Sequence, residues 1–148
     1  MNLVGREIAD LFYNMTETDL FELIQYFDYR HFRAGESLWQ EGDPSDFAAF
    51  IVSGRIQIKK NTEFEGKQMV VGVYSQGTII GELGLMENDC RSVSAVAIDD
   101  GVLTTLTRDS FEKLIATHPA LGVKLLKSMF LAVSVRLSKT FDRLAAIF

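Results

Sequence analysis

Apolar positions follow two different periods along this chain of 148 residues. Near the start, Leu20, Leu23, Ile24 and Phe27 recur at helical spacing. Thr16 stands three residues before Asp19, the pattern of a reciprocal cap at a helix start. Glu17 and Asp19 then fall in the first turn, beside the positive end of the helix dipole. Residues 1–31 are therefore expected to be helical. From about Phe32 the period shortens. Segments rich in β-branched and aromatic residues are broken by Gly35, Gly42, Gly54, Gly66, Gly72, Gly77, Gly81 and Gly101. Turn signals this frequent predict an antiparallel β barrel or roll over residues 32–107. Phe47 to Val52 reads as a strand buried on both faces, and Arg55-Ile56-Gln57-Ile58-Lys59 as a half-buried one. Met69 to Tyr74, Ser92 to Ile98 and Val102 to Leu106 supply further strands. Asn61 to Gly66 is a polar hairpin loop, and Asp99-Asp100-Gly101 a turn whose glycine is expected to take positive φ.

Helix returns over residues 108–148. Asp109 with Glu112 has the form of a second cap, and Phe111, Leu114 and Ile115 share a face. Pro119 opens another helix at a position where a missing N–H costs nothing. Continued to the end, that helix is roughly 45 Å long at 1.5 Å per residue. Its apolar stripe is Leu126, Phe130, Val133, Leu137, Phe141, Leu144 and Phe148, in steps of three and four. Such a stripe outruns any small barrel it could cover, so a homodimer through this helix is expected. No internal repeat or linker interrupts the chain, and a single domain over residues 1–148 is expected.

Composition narrows the class. Hydrophobic residues make up 47% of the chain, enough for a core without covalent staples. Cys90 is the only cysteine, which rules out an intramolecular disulfide and suits a reducing compartment. No apolar run approaches the roughly 20 residues needed to cross a bilayer, and residues 1–7 lack the form of a secretory signal. A cytoplasmic protein without membrane contact is the expectation. The net charge of -5 is uneven: residues 1–107 hold 8 Lys and Arg against 17 Asp and Glu, residues 108–148 hold 7 against 3. An acidic body does not attract nucleic acid. The basic C-terminal segment either meets an acidic effector protein or forms a solvated helix face, and its scattered lysines suit the second reading.

The chemistry concentrates in Gly81-Glu82-Leu83-Gly84-Leu85, followed shortly by Arg91-Ser92. Main-chain amides at a helix start offer donors and partial positive charge to an anion, and glycines let the backbone come close. The Arg91 guanidinium is a planar, permanently charged fork that matches phosphate geometry. Ser92 adds a hydroxyl or its N–H. Glu82 is ill placed beside a phosphate but accepts well from a sugar hydroxyl. Together these residues suit a small ligand that carries both, such as a cyclic nucleotide. Each alone has a plainer reading: a common Gly-Glu-Leu, a surface cation paired with Glu82, a strand serine.

The stretch Gly81-Glu82-Leu83-Gly84-Leu85-Met86-Glu87-Asn88-Asp89-Cys90-Arg91-Ser92-Val93-Ser94-Ala95 resembles the phosphate-binding cassette of the cyclic-nucleotide-binding domains, found in catabolite activators, kinase regulatory subunits and gated channels. Phe32-Arg33-Ala34-Gly35-Glu36, Glu41-Gly42-Asp43 and Phe50-Ile51-Val52-Ser53-Gly54 are similar to that family's first turns, and His118-Pro119 to the start of its last helix. The resemblance implies a jelly-roll-like β-roll with N-terminal helices and a long C-terminal helix, and a cassette over residues 81–92. It implies that the amides of Gly81, Leu83 and Gly84, with Arg91 and Ser92, hold the cyclic phosphate of cAMP or cGMP, and that Glu82 takes the ribose hydroxyl. Val71, Ile80, Leu83 and Val93 would form the apolar wall, joined by Tyr74. The last helix would cover the purine, with Ser134, Ser138 and Thr140 as candidates for base contacts. Ser92 does not separate cAMP from cGMP. Cys90 departs from the family's proline or polar residue and reads as a bystander thiol. The chain stops at Phe148, where transcription-factor relatives continue into a helix-turn-helix, so direct DNA binding is not expected. No cofactor beyond the regulatory ligand is expected. Two other functions stay in view: a scaffold or dimerisation module of this fold that binds nothing, and a small β-barrel enzyme of the cupin kind. The second is disfavoured because only His31 and His118 could serve a metal, and a non-enzymatic sensor is the expectation.

Overall fold

The computed structural model describes residues 12–87 and 89–147. Helix α1 (Glu17–Leu23) opens on the reciprocal cap: the Asp19 N–H donates to Thr16 Oγ1 at 3.1 Å and the Thr16 N–H to Asp19 Oδ2 at 3.0 Å. The helix is short. A 3-10 turn (Ile24–Tyr26) and an extended Phe27 lead directly into strand β1 (Asp28–Phe32). Strand structure therefore starts at Asp28, ahead of the expected Phe32. The sequence Asp-Tyr-Arg-His-Phe has no apolar alternation to announce it. Pairing along its whole length with a distant strand, from Asp28 opposite Thr105 to Phe32 opposite Gly101, overrides the local signal.

The strands that follow are β2 (Ser37–Trp39), β3 (Pro44–Ser45), β4 (Phe47–Ser53), β5 (Ile56–Asn61), β6 (Gln68–Tyr74), β7 (Ile79–Ile80), β8 (Asp89–Cys90), β9 (Ser94–Ala97) and β10 (Gly101–Thr107). They form two antiparallel sheets, β1-β10-β4-β7 and β2-β9-β5-β6, and a separate short β3-β8 ladder. This is the antiparallel β-roll. Strand β4 is central and buried on both faces. Ala49 and Ile51 point between the sheets, toward Trp39, Ile56, Ile80 and Leu103. Ala48, Phe50 and Val52 point outward, toward Leu23, Leu106, Phe111, Leu114 and Leu125. The period-two alternation of one strand thus serves two cores.

Helix α2 (Arg108–Thr117) grows directly out of β10. Its cap is Thr107, whose hydroxyl accepts from the Ser110 N–H at 3.1 Å, and not Asp109, which lies in the first turn. The extended backbone needed at a cap belongs to the last residue of the strand. Gly101 also differs from expectation. It does not take positive φ; its requirement is steric, because a Cβ there would collide with the Ser53 carbonyl and the Phe32 ring.

Helix α3 (Pro119–Ile147) packs only one face. Leu121, Leu125, Ser128 and Met129 are buried against the roll. The expected outer stripe faces away only in part: Leu126 packs against the core, Phe130 is 76% exposed, Leu137, Phe141 and Leu144 are about half exposed, and Phe148 lies outside the described residues. Among the described residues no helix is long and apolar enough to cross a membrane.

Candidate functional site

Strand β7 ends at Ile80, and Gly81 turns the chain with φ 70° into a 3-10 turn (Glu82–Leu85). A left-handed residue suits glycine alone at little cost. A Cβ at Gly81 would also run into Nη1 of Arg91. Gly84 packs the turn onto the roll, where a Cβ would lie 2.7 Å from the Phe47 carbonyl and 2.9 Å from Ser45 Oγ. Arg108 closes the back of the turn. Its guanidinium donates to the carbonyls of Gly84 (3.0 Å), Ser45 (2.5 Å) and Glu87 (2.6 Å).

Arg91 follows β8, fixed at the backbone by its N–H to the Asp43 carbonyl (2.7 Å) and by the Gly42 N–H to its own carbonyl (2.8 Å). Its side chain turns inward and is only 4% exposed. Nη2 donates to the Phe47 carbonyl at 2.8 Å and Nη1 to the Gly81 carbonyl at 3.3 Å. The guanidinium stacks over the rings of Trp39 and Phe47, 4.0 and 4.4 Å from their centroids. Its Nε is buried and has no hydrogen-bond partner. Burial pushes the Arg91 pKa down, while the carboxylates of Asp46, Asp43 and Glu82 push it back up; the group keeps its charge. A buried cation with one donor unsatisfied costs about 1–3 kcal/mol or more. An oxyanion at Nε would remove that cost.

The other end of the site is acidic. Glu82 Oε1 accepts from Arg136 Nη2 of α3 at 3.1 Å. Arg136 also donates to the Ile79 carbonyl at 2.5 Å and lies over the Tyr74 ring, 5.1 Å from its centroid. The ion pair considered for Arg91 and Glu82 is not the one made: the carboxylate goes to Arg136, the Arg91 donors to main-chain carbonyls. Ser92 is held from below, where Lys60 donates to its carbonyl at 2.7 Å and to Glu41 Oε1 at 2.6 Å.

Between these groups lies a cavity of about 320 Å³, near the lower end of the roughly 300–1,000 Å³ of small-molecule sites. Val71, Ile80, Gly81, Glu82, Leu83, Arg91, Ser92 and Val93 all line it, as does Tyr74. Leu83 contributes to the rim but is 61% exposed, since the turn tilts its side chain outward. Gly84 does not line the cavity. It is buried beneath the turn, and its N–H donates to the Gly81 carbonyl at 3.1 Å. Closing a 3-10 turn uses that amide, so the Gly84 N–H expected to hold a phosphate is already engaged. From α3, Arg136 lines the cavity; Ser134, Ser138 and Thr140 do not. Trp39, Arg108 and Arg136 went unread in the sequence. For Arg136 a signal existed: the buried positions Leu121, Leu125 and Met129 recur at helical spacing, and that face continues to Arg136.

A family model, the cyclic nucleotide-binding domain, matches residues 29–118. The chain is 32% identical over 109 residues to the lysophospholipase NTE1 of Phaeosphaeria nodorum, covering 71% of this chain and 7% of that protein. It is 26% identical over 111 residues to the cyclic AMP receptor protein of Thermus thermophilus, covering 75% of this chain and 51% of the receptor. Among solved structures, a cyclic nucleotide-binding domain from Methylobacillus flagellatus KT has the same fold, with a TM-score of 0.89 at 24% identity over 97% of this chain and 84% of the other. The chain belongs to the cyclic nucleotide-binding domain family, and it spans 7% and 51% of the two curated relatives named here.

Proposed function

We propose that the domain is a non-enzymatic sensor that binds cAMP or cGMP between Arg91 and Glu82 and passes the event to helix α3. The observation that carries this reading is Arg91, which lines a small cavity and keeps a buried Nε without a hydrogen-bond partner. A module that bound nothing would retain the cost of that orphaned donor without return. The cyclic phosphate takes Nε, beside the Gly81 turn. The ribose hydroxyl donates to Glu82 and so competes with Arg136 for it. Purine and sugar lie against Val71, Ile80, Val93 and Tyr74.

Coupling follows from that competition. Arg136 is the α3 side chain that joins the helix to the cassette through Glu82. Displacing it changes how firmly the distal half of α3 is held. A ligand shifts such an equilibrium only by its differential affinity for the two arrangements. A charge-assisted contact is worth about 1.5–3 kcal/mol, enough for a ten- to hundredfold preference. The exposed stripe from Phe130 to Leu144 supports a homodimer through α3, and a separate effector protein reading that helix is a further part of this proposal. A reducing cytoplasm suits the exposed thiol of Cys90.

Titration calorimetry with cAMP and cGMP on the wild-type chain and on Arg91→Ala tests the reading, with circular dichroism as the control for folding. Binding by the wild type and its loss in a folded variant is the expected result. Equal affinity in the two proteins would contradict it.

A further inference from the structure

The inner face of α3 changes character halfway along. Leu121, Leu125 and Met129 are buried against the roll. Further along, the same face presents Arg136, Lys139 and Arg143, spaced three and four apart and so neighbours in space. These three cations line a second cavity, of about 740 Å³, together with Gln76 and Thr78 of the β6–β7 connection. No aspartate or glutamate lines it, although the chain carries 20 acidic residues against 15 basic ones. Arg136 pairs with Glu82 at the boundary between the two cavities. Lys139 and Arg143 make no ion pair among the described residues. Like charges at this spacing repel one another along a helix, and of the three only Arg136 has a carboxylate partner among the described residues.

We infer that this cavity is a second anion subsite, built to take a phosphate group other than the one at Arg91. Lys139 and Arg143 supply the charge, and Gln76 and Thr78 supply uncharged hydrogen-bonding groups. Arg136 and Tyr74 line both cavities, so the subsites adjoin. The phosphate has two sources: the second phosphate of one ligand that spans both cavities, or a separate small polyphosphate. The inference rests on the charge of this cavity and stands whether or not a cyclic mononucleotide occupies the first.

The test is calorimetric titration of the full chain with pyrophosphate. The proteins compared are wild type, the pair Lys139→Gln with Arg143→Gln, and Arg91→Ala. Saturable binding is expected in the wild type, weakened at least tenfold in the double variant and retained in Arg91→Ala. The charge-preserving pair Lys139→Arg with Arg143→Lys is expected to keep it, and raised salt to weaken it. A cyclic dinucleotide weakened by both the Gln pair and Arg91→Ala identifies a spanning ligand. One weakened by Arg91→Ala alone, with pyrophosphate still held at Lys139 and Arg143, identifies a separate anion. No saturable pyrophosphate binding, or binding unchanged by the Gln pair, or binding lost in Arg91→Ala alone, overturns the inference. Cyclic mononucleotide affinity measured on the Gln pair separates that failure from failure of the nucleotide reading.

Discussion

The two ends of the small cavity are built differently. At the cassette end, Arg91 is buried, lies against two rings set edge to face and is held by two main-chain carbonyls. The turn beside it is fixed by a left-handed glycine and braced from behind by Arg108. At the helix end, Arg136 is partly exposed and holds Glu82 through one hydrogen-bonded contact. The first end has no alternative arrangement at low cost. The second is held by fewer contacts: that ion pair, worth about 0–1 kcal/mol where solvent reaches it, the Ile79 carbonyl and the Tyr74 ring. Under the proposed function, a rigid recognition end next to an exchangeable one would let a ligand be recognised at one side and move something at the other.

Breaking the rigid end gives the largest effects. Arg91→Lys is expected to weaken cyclic-nucleotide binding by on the order of a hundredfold, because an ammonium keeps the charge but neither stacks as a plane nor offers an Nε–H; equilibrium titration checks it. Gly84→Ala forces a Cβ against the Phe47 carbonyl and is expected to cost roughly 1–3 kcal/mol of stability by overpacking. Denaturant unfolding reads that loss, and an unchanged midpoint would mean the turn is less tightly packed than described.

The exchangeable end yields smaller changes. Arg136→Gln frees Glu82 for the sugar, so affinity is expected to rise by roughly two- to fivefold, the equivalent of about 0.5–1 kcal/mol. Hydrogen exchange in the distal half of α3 should then stop responding to ligand. A loss of affinity instead would make Arg136 a ligand contact and not a competitor. Of similar size is the tie between α1 and α3, where Lys124 Nζ meets Asp19 Oδ2 at 2.6 Å. That hydrogen bond first, and the Thr16 N–H second, hold the Asp19 carboxyl below its ordinary value of 3.8. A depressed folded-state pKa stabilises the fold above the unfolded value and loses that contribution as pH falls through the folded one. Asp19→Asn is expected to lower stability by about 0.5–1 kcal/mol at pH 7 and by progressively less below about pH 4. Melting curves across that range check the sign.

Local and long-range information divide what was legible in the chain. The cassette could be read because its groups sit within a dozen residues and their chemistry depends on that spacing. The central strand could be read because Phe47 to Val52 is apolar on both faces, as burial in two cores requires. Strand β1 could not, since its polar sequence is recruited by β10 from far along the chain. The cap at Thr107 was missed because β10 runs straight into α2 with no loop to mark the boundary. Trp39, Phe47 and Arg91 meet only when two turns fold together, and Arg136 reaches Glu82 only once α3 lies across the roll. No local pattern encodes such meetings, apart from the helical face that continues from Met129 to Arg136.

Arg91 Nε is the donor proposed to meet the cyclic phosphate. Heteronuclear NMR of the arginine side chains, with Arg91→Lys to assign the resonance, observes that N–H directly. On adding cAMP or cGMP, the Arg91 Nε–H signal is expected to move downfield and become protected from exchange with water, while adenosine or guanosine leaves it in place. A signal that stays fixed at saturating cyclic nucleotide, or that responds equally to the nucleosides, contradicts the account.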